Sequence, residues 1–209
     1  MIVLDDTLLI GRGQVRSCYR HPQDEPLVIK VPAGSQKAQI QANHKEMKGY
    51  RFLLRRHGWL DCINHCHGFV ATSHGEGLVC DCIRDSDGTI SQTIWDIVHS
   101  RNKCDLDNIL AIAAQFCAYL AEKDIWLFDF NLKNIALSRQ SDNTCRAIIL
   151  DLKGRYDNNE FIPFSSYIGF LARKKRERRA RQLIERINYF YAARHNPQPH
   201  CPLPSPADF

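Results

Sequence analysis

"FDFNLKNIAL", residues 128–137, has the apolar ends of a strand entering and leaving a core, yet its middle holds Asp129, Lys133 and Asn134. Burying an ionised side chain without a partner is costly. A carboxylate, an ammonium and an amide placed together in so apolar a stretch therefore need a task. Working outward, the flanks differ. Strand-like runs dominate the residues before about 85, and helical patterning dominates those after about 90.

The chain has 209 residues, 44% hydrophobic and 24% charged, which is the composition of a globular protein with a sizeable core. No run of 18 apolar residues suggests a membrane span, and "MIVLDDTLLIGRG" lacks the basic start of a signal peptide. Nine cysteines, an odd number without a secretory signal, read as reduced thiols of a cytoplasmic protein. Cys62, His65, Cys66 and His67 form the tightest cluster. Their spacing is not that of a zinc pair, so metal competes there with buried thiols beside loop histidines. The net charge is +5, but "RKKRERRAR" at 173–181 alone contributes +6. A near-neutral body with one basic segment disfavours a nucleic-acid binder, which needs a broad positive face. It leaves open a solvated helix or contact with an anionic surface.

Strands are expected at 7–11, 15–19, 27–31, 68–72 and 77–83, each bounded by turn residues. A helix is expected over 35–58, capped by Ser35, ending at Gly58 and burying Ile40, His44, Met47 and Tyr50 or Phe52. Helices at 92–100, 105–124 (with Asp105 as N-cap) and about 166–193 follow, with a strand at 146–152 between the last two. The fold class is α+β. A small antiparallel sheet with one helix spans 1–86, a mainly helical part spans 87–195, and a Pro-rich tail covers 196–209.

Phosphoryl transfer asks for backbone N–H groups and an ammonium on phosphate, oxygen ligands for a metal, and a carboxylate near the acceptor hydroxyl. Gly11 and Gly13 lie in a turn between two strands, where backbone can approach phosphate. Lys30 interrupts "VIKV" and must find a counter-charge unless it faces water on an edge strand. Glu46, in the middle of the long helix, is a candidate partner. Asp129 suits the base that accepts a hydroxyl proton. Asn134 and Asp151, at the end of "AIIL", suit oxygen ligation of Mg2+.

These parts resemble a protein kinase. "DFNLKNIAL" is similar to the catalytic loop D-x-K-x-x-N-I-x-L, "LDLKG" to D-F-G and "LVIKV" to V-A-I-K. "IGRGQVRSCYRHPQDEPLVIKV" and "KEMKGYRFLLRR" resemble the PhoP regulatory network family of YrbL-like bacterial proteins, over about residues 5–195. The resemblance implies a protein-kinase-like fold using ATP and Mg2+. In it, Lys30 holds phosphates and is held by Glu46, Asp129 is the base, and Asn134 and Asp151 are metal ligands. Asp81 and Cys82 fall at the hinge that meets adenine through backbone groups.

The departures are specific. Arg16 replaces the third loop glycine, Leu127-Phe128 replaces His-Arg, and Asn131 stands where a lysine is usual. Lys133 then becomes the candidate for the γ-phosphate. Gly154 is displaced behind Leu152-Lys153, no A-P-E motif follows, and 58 residues after Asp151 imply a reduced peptide-docking platform. The acceptor hydroxyl is accordingly open between protein, small molecule and lipid-linked sugar. A regulatory pseudokinase is the alternative to an active phosphotransferase, and a nucleic-acid binder using 173–181 is the more distant one.

Overall fold

The computed structural model describes residues 1–102, 104–125, 127, 130–152 and 169–195. Asp129, Lys153, Gly154 and the Pro-rich tail lie outside these described residues. The chain forms two compact units. The described part of the first is 1–90 with 148–152, and that of the second is 91–147 with 169–195.

The first unit is a five-stranded sheet with one helix: β1 (Leu9–Arg12), β2 (Arg16–Arg20), β3 (Leu27–Pro32), α1 (Lys37–His57), β4 (Cys66–Thr72) and β5 (Gly75–Asp81). The order is β1-β2-β3-β5-β4, with every neighbouring pair antiparallel. β3 is therefore central and buried on both faces, which is why "LVIKV" reads as a nearly continuous apolar run. An edge-strand Lys30 facing water is ruled out, since Lys30 is only 8% exposed.

Alternation divides β3. Ile29 and Val31 join Leu4, Tyr19 and Val79 in a buried apolar cluster. On that side a Cβ at Gly77 would stand 2.5 Å from the Ile29 side chain, so the close approach of β5 to β3 there requires glycine. Val28 and Lys30 take the opposite face, in register with Cys80 and Leu78 of β5, while Cys18 of β2 lies beside Lys30.

α1 packs over this second face, against β3, β4 and β5. It begins one residue after Gln36, which forms a capping box with Gln39, so the expected Ser35 cap is corrected. Its buried side is Asn43, Glu46, Met47, Tyr50 and Leu53, whereas Ile40 is half-exposed. The apolar residues alone suggested a stripe shifted by about one residue, because two members of the true stripe are polar. The helix ends at Gly58, whose φ of 72° is left-handed and favours glycine. The returning segment joins this unit through Ile149, which donates to Cys62 O and accepts from Asn64 N, both at 2.9 Å.

The second unit contains α2 (Ile94–His99), α3 (Leu106–Glu122), β6 (Ile135–Arg139), most of β7 (Cys145–Ile149) and α4 (Gly169–His195). Thr93 and Asp96 cap α2 reciprocally, and Asp105 caps α3 as its position suggested. α3 buries Ile109, Ile112, Ala113, Phe116 and Leu120 at helical spacing. β6 pairs with β7. The basic segment on α4 is not a uniform solvated face. Lys175 and Arg176 are buried, and Arg176 pairs with Asp124 at 3.1 Å. No helix among the described residues is long and apolar enough to cross a membrane.

Candidate functional site

The first unit gathers four charged side chains and an amide on the α1 face of its sheet. β3 presents Lys30 toward α1, and one helical turn brings Asn43 and Glu46 to the same side. Lys30 Nζ lies 2.6 Å from Glu46 Oε1 and donates to the Leu150 carbonyl at 2.5 Å. Arg16, the first residue of β2, bridges two carboxylates. Its Nη1 pairs with Glu46 Oε2 and its Nη2 lies 2.6 Å from Asp151 Oδ1. Asn43 donates to the Lys30 carbonyl at 2.7 Å and accepts from Arg16 Nη1 at 3.3 Å. Two cations thus face two carboxylates.

Burial works against the charges of Lys30 and Arg16. Burial is the largest single influence on each, but the attraction of Glu46 together with that of Asp151 and other neighbours outweighs it, so both pKa values stand above their ordinary range. Both groups are cationic at neutral pH. The exposure is graded: the Glu46 side chain is 1% exposed, Lys30 10%, Arg16 13% and Asp151 21%. The cluster is sealed at Glu46 and opens toward Asp151.

Gly13 sits in the β1–β2 turn, its N donating to Arg16 O at 2.8 Å, whereas Gly11, expected in that turn, lies within β1 opposite Cys18. Neither has a left-handed φ, and a Cβ at Gly11 would meet nothing within 4 Å. The fold itself makes no demand for glycine at 11. Asp81 and Cys82 have committed their backbone donors, the former to His65 O at 3.0 Å and the latter to Pro26 O at 2.7 Å. Any backbone recognition by these two residues must therefore use carbonyls.

In the second unit, a one-turn 3-10 helix, Leu132–Asn134, leads directly into β6. Buried Leu132 and Ile135 anchor it, and the Asn131 side chain accepts from Lys133 N at 3.1 Å. Asn131 thus serves as the turn's cap. Lys133 is exposed, with Nζ 4.5 Å from the centre of the Trp95 ring, a cation–π contact. Trp95 in turn stacks on His99, 3.7 Å between centroids. Asn134 is half-buried at the end of the turn, and Asp129 lies outside the described residues.

Cys62, His65, Cys66 and His67 do not converge on one point. Cys62 is buried, its thiol pushed up to about 12 by burial. His65 stacks on Trp59 and shares a hydrogen bond with the Tyr50 hydroxyl. Cys66 accepts from Cys80 at 3.6 Å, and His67 meets Asp81 at 2.6 Å. The group of three metal-capable side chains found among the described residues is instead Glu46, Cys66 and Cys80. Glu46 there is already held by Lys30 and Arg16. Sequence reading missed Asn43 and the bridging role of Arg16. The available signal was polar residues at 43 and 46 on the helical stripe of Met47, Tyr50 and Leu53.

Comparison with known proteins is consistent along most of the chain. The family model described as PhoP regulatory network protein YrbL matches residues 2–188. YrbL of Escherichia coli (strain K12) and YrbL of Shigella flexneri are each 28% identical over 185 residues, covering 88% of this chain and 87% of theirs. Among solved structures, two variants of the Mycobacterium tuberculosis PknI kinase domain align with 15% identity, at TM-scores of 0.45 and 0.46. Each alignment covers 69% of this chain and little more than half of the kinase domain, 57% and 58%.

Proposed function

The chain belongs to the PhoP regulatory network protein YrbL family, and from that premise we propose that it is a kinase-like, ATP-dependent phosphotransferase acting on a hydroxyl acceptor in the cytoplasm. The observation that carries this reading is the buried Lys30–Glu46 pair, tied through Arg16 to Asp151. A lysine fixed in this way is poised as a point charge for phosphate, and a purely structural core would do better with apolar side chains.

Asp151 and Asn134 supply a carboxylate and an amide oxygen, the donors that a hard divalent cation prefers. When bound, Mg2+ would neutralise phosphate charge. The chain's own contributions are then distinct. Lys30 binds phosphate oxygens, and Glu46 fixes the direction of its ammonium. Gly11 in β1 and Gly13 in the turn after it let the backbone approach the phosphates. Asp129 orients the acceptor hydroxyl and takes its proton as the hydroxyl oxygen bonds to the γ-phosphorus and the bond from that phosphorus to the leaving nucleoside diphosphate breaks. Lys133, whose Nζ rests 4.5 Å from the centre of the Trp95 ring, is the candidate for the γ-phosphate. Asp81 and Cys82 border the base. The acceptor is a hydroxyl on a small molecule, a lipid-linked sugar or a protein.

The Arg16–Asp151 ion pair favours a second reading, a pseudokinase-type binding module in which Asp151 is a structural anion. Thermal unfolding of wild type and Asp151→Ala with and without Mg–ATP separates the cases. Ligand at one hundred times its Kd adds about 2.7 kcal/mol by linkage. A Mg-dependent rise in wild type that Asp151→Ala abolishes supports the nucleotide site. No rise in either protein overturns it. Asp129→Asn, retaining the rise while losing phosphate transfer, then separates phosphotransferase from binding module.

A further inference from the structure

The least expected member of the charge cluster is Arg16, which stands where a phosphate-binding turn of this kind would carry another glycine. Lys30 already neutralises Glu46 from the other side, at 2.6 Å. Arg16 spans from Glu46 to Asp151, and of the four charged side chains these two, Arg16 and Asp151, are the most open to solvent. Its backbone is fixed by the Gly13 hydrogen bond, but its side chain is long enough to swing.

Placing a divalent cation on Asp151 while Arg16 stays 2.6 Å away would set like charges side by side in a half-dry site, a repulsion of several kT. A metal that takes Asp151 must therefore displace the guanidinium, which then needs another anion. The planar guanidinium fork fits phosphate oxygens as well as carboxylate.

We propose that Arg16 is a positioning residue that makes divalent-cation binding at Asp151 conditional on a polyphosphate. It holds Asp151 when neither ligand is present and turns to the phosphates when both arrive. This inference rests on the nucleotide-site reading given above and adds a rule of assembly to it. Metal alone binds weakly, and metal with triphosphate binds cooperatively, the two affinities coupled reciprocally.

The test uses the full chain and measures Mn2+ binding by loss of the free-ion electron paramagnetic resonance signal, with and without a non-hydrolysable adenosine triphosphate analogue, after subtracting the loss the analogue causes without protein. Wild type is expected to bind Mn2+ alone weakly and to gain sharply with the analogue. Arg16→Gln is expected to bind Mn2+ alone roughly tenfold tighter or more, with the gain from the analogue shrinking correspondingly. Adding Asp151→Asn to Arg16→Gln removes that tightening. A merely structural arginine would weaken every affinity on removal and tighten none. If wild type binds Mn2+ with the analogue but Arg16→Gln takes Mn2+ alone no more tightly, the inference is overturned and the nucleotide site stands. If neither protein binds Mn2+ with the analogue, both fall. Should Arg16→Gln fail to fold, Arg16→Met, which keeps the aliphatic length and removes the charge, takes its place. Tighter Mn2+ binding without the analogue in that variant supports the inference, and unchanged binding overturns it.

Discussion

Strand β3 is buried on both faces, but the two faces are held together in different ways. On one, Leu4, Tyr19, Ile29, Val31 and Val79 form an apolar layer whose stability comes from burial and contact. On the other, Lys30, Arg16, Glu46 and Asn43 form a polar network under α1. Strand β3 serves both faces with alternate residues. The apolar face tolerates small losses in proportion to the volume removed. The charged face is either complete or severely defective, because each ion is desolvated and depends on its partners.

The largest effect that tests this contrast is Glu46→Ala, which takes the carboxylate from Lys30 and leaves Arg16 with one, Asp151, of its two. It is expected to cost about 3–5 kcal/mol, read as a lower urea midpoint. A cost below that of a one-methylene deletion on the apolar face would break the comparison. Gly77→Ala comes next. The added methyl meets Ile29, and overpacking of this sort costs about 1–3 kcal/mol. Ile29→Val sharpens the contrast from the gentle side, at about 0.5–1.5 kcal/mol.

The smallest effect concerns His65, where burial holds the imidazole pKa below its ordinary value, against the pull of Asp81. The unfolded chain takes up that proton first. Stability is therefore full above the ordinary histidine value of about 6.5 and declines as pH falls below it toward the folded value. Unfolding midpoints at pH 7.5 and 5.5 should show this decline reduced in His65→Gln. An unchanged pH response in the variant would assign the decline elsewhere.

The contrast also explains what could be read from the sequence. The first unit's strands were legible because "LVIKV" and "GLVCDCI" are short, nearly continuous apolar runs bounded by turn residues, and they fall within about two residues of their expected places. Lys30 and Asp151 were legible as charges in apolar settings, and Glu46 as a candidate partner for Lys30 in the middle of the long helix. Arg16 was visible only as a missing glycine. Its bridge depends on Glu46 and Asp151, 30 and 135 positions away, and no local pattern encodes such a separation. Ile40 misled for a related reason. Hydrophobicity marked it as buried, but the helix turns Asn43 and Glu46 inward, and the stripe they define leaves Ile40 half-exposed. Lys133 gave no hint of its seat on Trp95, a residue 38 positions earlier in the chain.

The first unit is not continuous in the chain. It is completed by residues that return after β6, including the Leu150 carbonyl and the Asp151 carboxylate. Modularity therefore has a cost here. A gene fragment ending at Ile90 would encode all five strands and α1, yet leave Lys30 without one acceptor and Arg16 without one of its two carboxylates. Such a fragment should behave as a damaged half rather than a portable cassette. Recombination between relatives should preserve function only when the first ninety residues and the Ile149–Asp151 segment are inherited together.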